Sequence, residues 1–170
     1  MSFARQLFAS AAAGLTTAAL ALGLPLHAPS IEGSQMKKSV TYLHLLRKTP
    51  FFTALSKPQL QWVIDHSTEW EAKAGMEVSN RADAAEHIWV LLDGGWQVEQ
   101  GGKTVAAGHA DAAKWYGGVQ PELLPADSRL VANGHSYVMR IRRADFNDML
   151  ERQFDFAAHL QQGLAFYGQR

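Results

Sequence analysis

The 170-residue sequence contains no cysteine. Disulfides, thiolate catalysis and cysteine-ligated zinc or iron–sulfur sites are therefore excluded. Neither sign of charge is in excess, because 16 basic residues balance 16 acidic ones, and lysine and arginine do not cluster on any predicted face. A basic face is the electrostatic signature of a nucleic-acid-binding protein, so we expect no nucleic-acid partner.

Length and composition are those of a single soluble domain. A chain of 170 residues with 47% hydrophobic content buries one sizeable core but leaves no room for a second full domain. The sequence therefore predicts one folded unit, over residues 39–170, preceded by a linker at residues 29–38.

The N-terminus has the pattern of an export signal. Arg5 precedes an apolar stretch at residues 7–24 that is rich in alanine and leucine, and small residues follow, ending at Ala28. This order is typical of a secretory signal peptide. We predict a signal at residues 1–28 and a periplasmic or secreted protein. Two alternatives stay open: an uncleaved anchor in the inner membrane, or a cytoplasmic protein whose translation starts at Met36.

Helical patterns bracket the folded unit. Apolar residues recur at helical spacing from Val40, and this helix must end before Pro50, because the residue that precedes a proline disfavours the α conformation. Ser56 and Gln59 match a capping box, which predicts the start of a second helix. Two closing helices are predicted at residues 144–152 and 154–167.

Between these helices the hydrophobic pattern has a period of two. Alternating segments separated by glycine turns run from about Glu69 to Arg142, which predicts antiparallel strands. The turns at residues 93–95 and 101–102 predict two consecutive hairpins. The expected fold class is mainly β with flanking helices.

The order of these segments resembles the cyclic nucleotide-binding-like domains of the CRP/FNR type. Leu45–Ser56 resembles the Phe-Phe plug and Leu-Ser turn of that family, Ala82–Gly94 its turn into an aliphatic strand, and Ala132–Phe146 its last strand and the next helix. The resemblance spans roughly residues 40–168. It implies an antiparallel β-roll, also described as a double-stranded β-helix or jelly roll. Regulators of this family usually carry an effector after the last helix, and because the sequence ends at Arg170, right after that helix, we expect the domain to stand alone.

The resemblance also implies a ligand cassette in an irregular loop at residues 115–129. In the family this loop reads aromatic-Gly-Glu, where the carboxylate binds the ribose, and a later arginine pairs with the cyclic phosphate. Tyr116 and Gly117 keep the aromatic residue and the glycine, but Gly118 stands in the glutamate position and Ala126 in the arginine position. The phosphate-binding cassette is therefore degenerate.

Other residues near the loop are candidates for ligand binding. Arg129 is a nearby cation and Glu122 a nearby acid, while Ser128 and Trp115 complete the candidate cassette. Trp96, which follows a glycine, is a candidate pocket or interface aromatic.

These features predict a non-catalytic regulatory or binding domain that takes a non-nucleotide small ligand or a protein partner and needs no cofactor. One alternative is a divergent cyclic nucleotide sensor that uses Arg129 for the phosphate. Another is a small cupin-like enzyme that gathers His87, His109 and His135 around a metal.

The last predicted helix is a candidate dimerisation element. Phe156, Leu160 and Leu164 recur at four-residue spacing, and such a stripe packs either against a second copy or against the protein's own roll. A homodimer through this helix is therefore one expectation from the sequence.

Overall fold

The computed structural model describes residues 40–118 and 124–168. The predicted export signal, the linker and Glu122 lie outside the described residues, so export stays a prediction. Within the described ranges, no helix combines the length and the apolar character needed to cross a membrane.

Two helices and a short 3-10 turn open the folded unit: α1 at Val40–Lys48, the turn at Pro50–Phe52 and α2 at Lys57–Asp65. The Ser56 hydroxyl accepts a hydrogen bond from the Gln59 amide, and the Ser56 amide donates to the Gln59 side chain at 2.9 Å. The predicted capping box is thus confirmed. It sets the first residue of α2 because it satisfies amides that lack a partner inside the helix.

Within the described residues, eight strands form two four-stranded antiparallel sheets. In chain order they are β1 (Ser67–Ala72), β2 (Glu77–Asn80), β3 (His87–Asp93), β4 (Gly95–Gln100), β5 (Lys103–Gly108), β6 (Trp115–Gly117), β7 (Arg129–Ala132) and β8 (Ser136–Arg142). One sheet has the order β1-β8-β3-β6 and the other β2-β7-β4-β5. The predicted antiparallel β-roll with flanking helices is confirmed.

Strand β3 is buried on both of its faces. Trp89 and Leu91 pack with Trp96 in the core between the two sheets, whereas Ile88 and Val90 point the other way, into the core shared with the helices. Because successive side chains of a strand alternate between faces, a strand buried on both sides reads as a continuous apolar run. This accounts for the unbroken Ile-Trp-Val-Leu-Leu segment.

The predicted hairpin at residues 93–95 is wrong. Strands β3 and β4 belong to different sheets, and each already has two other partners: β3 pairs with β6 and β8, and β4 with β5 and β7. The turn therefore carries the chain from one sheet to the other. The second predicted hairpin, between β4 and β5, is confirmed by its continuous register.

A six-residue helix, α3 (Arg81–Glu86), occupies a segment that the sequence pattern indicated as a loop. The Asn80 side chain caps it by accepting hydrogen bonds from the amides of Ala82 and Asp83, at 3.1 Å each. The start of the predicted irregular loop also differs, since residues 115–117 form β6 and pair with β3.

Two helices close the fold, α4 at Arg143–Glu151 and α5 at Ala157–Gly168. Phe156, just before α5, has no exposed surface, and its ring stacks on Phe51 at 4.9 Å and on Phe146 at 5.4 Å. The N-terminal plug and the C-terminal helices therefore share one core against the outer face of the first sheet.

Candidate functional site

Two glycines with positive φ lead the chain out of β6 and into the candidate cassette. Gly117 has a φ of 104° and Gly118 one of 69°. The Gly118 amide donates to the carbonyls of Ala84 at 2.7 Å and His87 at 3.1 Å, while its own carbonyl accepts a hydrogen bond from Arg143 at 3.2 Å. Both backbone polar groups of Gly118 are thus hydrogen-bonded, in a conformation that residues with a Cβ rarely adopt.

Gly118 differs from the family pattern in two ways: it carries no carboxylate, and its backbone conformation favours glycine. A Cβ at this position would overlap the side chain of Ile88, and the positive φ would strain any residue other than glycine. A glutamate at this position would require the end of the Ile88 side chain to move and would hold a strained positive φ.

The other half of the cassette is tied to the hairpin between β4 and β5. Asp127 accepts hydrogen bonds from the amides of Gly101 at 2.9 Å and Gly102 at 3.3 Å. These bonds, the one from Gly101 foremost, favour the ionised form and lower the pKa of the Asp127 carboxyl. Ala126 beside it is exposed and brings no charge to the arginine position of the family pattern.

Ser128 is 2% exposed, and its hydroxyl makes no hydrogen bond within the described part of the chain. Together with Ala126 it lines a surface depression of about 420 Å³, which Asn80, Arg81 and Ala82 complete from the start of α3. The cation beside the degenerate arginine position is thus Arg81, from a segment that sequence reasoning assigned no role.

Arg129 is engaged elsewhere. Its Nε donates to the Glu99 carboxylate at 2.6 Å, and its side chain is half exposed, whereas the next residue, Leu130, is fully buried. Because neighbouring strand residues face opposite sides of a sheet, Arg129 lies on the outer face of β7. Hydrogen bonds from Gln97 and then from Arg129 lower the pKa of Glu99.

The three aromatic candidates are core residues. The Trp115 indole N–H donates to the carbonyl of His159 in α5 at 2.9 Å, and the Trp96 indole N–H donates to that of Ala113 at 2.9 Å. Tyr116 is buried between the sheets, where desolvation raises the pKa of its hydroxyl to about 12. The structure thus places Trp96 in the packed interior rather than at a pocket or an interface.

The candidate metal-binding histidines do not converge. His87 lies 2.9 Å from Asp83, His109 3.6 Å from Asp93 and His135 2.6 Å from Glu71. Across residues 40–118 and 124–168, no group of three or more His, Asp or Glu side chains is arranged to hold a metal ion.

Asp83 is a residue that sequence reasoning missed as an organiser of the site. Its carboxylate accepts hydrogen bonds from the Trp89 indole at 2.6 Å and the Ser79 hydroxyl at 2.9 Å, both on the same oxygen. It thereby fixes α3 against the core of the roll. The signal in the sequence was the aspartate within the small-residue turn, whose partners only the fold reveals.

Comparison with known proteins supports the fold. No family profile matches the sequence, and no curated protein is similar to it. Among solved structures, the sensor domain of the transcriptional regulator DNR from Pseudomonas aeruginosa is similar with a TM-score of 0.51 and 16% identity, covering 74% of this chain and 91% of that one. A protein kinase A regulatory domain, CBD2 with bound Sp-2Cl-cAMPS, is similar with a TM-score of 0.50 and 16% identity, covering 75% and 90%. The chain has the fold of a cyclic nucleotide-binding-like domain.

Proposed function

We propose that this protein is a non-catalytic binding domain that uses a cyclic nucleotide-binding-like fold for a small ligand other than a cyclic nucleotide, or for a protein partner. The observation that carries the proposal is the absence of a charged side chain at the two cassette positions 118 and 126. Gly118 carries no carboxylate and has a positive φ that disfavours any residue with a side chain, and Ala126 offers no cation.

The physical argument concerns the cost of burying an anion. A phosphate that leaves water needs paired charge or several donors, since its unpaired desolvation costs several kcal/mol. Each charge-assisted hydrogen bond contributes about 1.5–3 kcal/mol. The absence of both anchors therefore weakens cyclic nucleotide binding by roughly two or more orders of magnitude.

We expect cyclic AMP and cyclic GMP not to bind at low micromolar concentration. Isothermal titration calorimetry measures this directly. Ala126→Arg should bring back measurable affinity, because it returns the phosphate-pairing cation to an exposed position, whereas the uncharged Ala126→Gln should not. Equal affinity of the two variants would show that the missing charge is not what prevents binding.

A second candidate function is a divergent cyclic nucleotide sensor. The observation in its favour is that Arg81 lines the depression beside Ala126 and Ser128. Arg129, the cation named for this role from the sequence, already pairs with Glu99. Low-micromolar binding that Arg81→Ala abolishes would support a sensor that uses Arg81, and loss with Arg129→Ala would assign the phosphate to Arg129.

We also propose a homodimer through α5. Phe156 is buried and Leu160 packs against the protein's own core, but Leu164 is 59% exposed. We expect a dimer at tens of micromolar in sedimentation velocity and a monomer for Leu164→Glu. Leu150→Glu is the matched control, since Leu150 is an exposed leucine on α4. A monomeric unmodified protein at that concentration would refute the dimer.

A further inference from the structure

A second depression, of about 260 Å³, lies where β1 begins and β8 ends. It shares no lining residue with the depression beside Ala126. One of its lining residues is Arg140, which is paired in register with Thr68 on one side and Trp89 on the other. Arg140 points to the same side of the sheet as Trp89, away from the core that the helices cover.

The guanidinium of Arg140 makes cation–π contacts with two tryptophan rings. Its Cζ lies 4.5 Å from the centre of the Trp70 ring and 5.8 Å from that of Trp89. Within the described ranges it makes no hydrogen bond and no ion pair. Stacking on indole rings stabilises the cation and leaves its N–H donors able to bind water or a ligand.

The two neighbouring arginines on the chain, Arg142 and Arg143, both donate hydrogen bonds to protein acceptors. Arg142, in the same depression, donates two hydrogen bonds to Asp145, at 2.7 and 3.1 Å. Arg143 donates to the carbonyls of Ala85 and Gly118. The half-buried Arg140 is thus a positioned cation whose hydrogen-bonding capacity is unused.

The remaining lining residues define which ligand would fit. Thr68 contributes a hydroxyl. His66 donates through Nδ1 to the Trp62 carbonyl at 2.8 Å, so in the neutral ring its Nε2 is an acceptor and adds no donor for an anion. His87 is adjacent to Asp83. Two carboxylates also line the depression: that of Asp145 pairs with Arg142, and that of Asp65 accepts a hydrogen bond from Gln61.

We propose that this depression binds a small oxyanion, a carboxylate or phosphate group, with Arg140 as its charged anchor and Thr68 as a further donor. A guanidinium fork matches the paired oxygens of such groups. The volume lies below the roughly 300–1,000 Å³ of pockets for drug-sized ligands, which favours a compact anion. This inference goes beyond the proposed function, because it concerns a surface separate from the cassette.

The test uses two probes, inorganic phosphate and succinate, added to the isotopically labelled protein at constant ionic strength. We expect the indole N–H signal of Trp70 to shift saturably with at least one probe. Arg140→Gln should weaken binding at least tenfold. Arg140→Lys should weaken it less, because the charge remains but the fork is lost.

The matched control is Arg152→Gln, which removes an arginine stacked over Trp62 at 5.2 Å outside the depression. It should leave the affinity unchanged. Shifts that grow linearly without saturation, or equal affinity in Arg140→Gln and the unmodified protein, would overturn the proposal. If Arg140→Gln does not fold, as judged by circular dichroism, the comparison of Arg140→Lys with Arg152→Gln decides. A negative result for the Arg140 depression would leave the proposed function unaffected, because that function is tested separately by calorimetry with cyclic nucleotides.

Discussion

Replacement of Gly117 by alanine is expected to lower the free energy of unfolding by about 2–6 kcal/mol. Gly117 has a φ of 104°, and a Cβ there would overlap the carbonyl oxygen of His87, a rigid backbone group. Holding a non-glycine residue in a sparsely populated backbone region costs about 1–3 kcal/mol, and overpacking adds a similar amount. Urea denaturation followed by tryptophan fluorescence measures the sum.

Gly134→Ala is the matched control for this substitution. Gly134 also lies in a connection between strands, but a Cβ there would meet nothing within 4 Å. We expect its effect to stay within about 0.5 kcal/mol. If both variants lost the same stability, the backbone at Gly117 would not be constrained as the structure indicates.

Phe156→Ala should lower the free energy of unfolding by about 3–5 kcal/mol. The ring has no exposed surface and contacts Phe51, Phe52 and Phe146, with centroids 4.9 to 6.1 Å away. Its removal leaves a cavity lined by rigid rings from both ends of the chain, which cannot close around it. The same denaturation experiment quantifies the loss.

Leu164→Ala is the comparison for Phe156→Ala, because Leu164 lies on the adjoining helix but is exposed. We expect a change of less than about 0.5 kcal/mol, measured at low protein concentration so that association does not contribute. A loss of stability for Phe156→Ala as small as that for Leu164→Ala would contradict a shared core between the plug and the C-terminal helices.

The local part of the fold was predictable because its causes lie within a few residues. Ser56 and Gln59 satisfy each other and start α2, and Pro50 ends the helix before it. The hairpin between β4 and β5 follows from a short glycine turn between alternating segments. The turn at residues 93–95 has the same local chemistry, yet it joins two different sheets, because long-range pairing with β6 and β8 occupies both edges of β3.

In the candidate site, too, residue types could be read from the sequence, whereas the surroundings of their side chains could not. The sequence identified Gly118 and Ala126 as departures from the family pattern, since residue type alone decides whether a carboxylate or a cation is present. It named Arg129 as the phosphate partner of one alternative function but did not predict which way its side chain points, because a side chain's face depends on the register of its strand. It gave no role to Arg81 or Arg140, whose surroundings are built from distant segments.

By itself, the sequence determined the fold class, the start of the capped helix and the absence of charge at positions 118 and 126. These follow from periodicity, from short-range hydrogen bonds and from which residues are present. Only the tertiary structure decided which strands pair, that Trp96 lies in the core, that Gly118 has a positive φ, and that Arg140 stacks on Trp70. The physical reason is that burial and charge pairing depend on segments far apart in the chain, such as Trp70 and Arg140, which are 70 residues apart, and no local pattern encodes their contact.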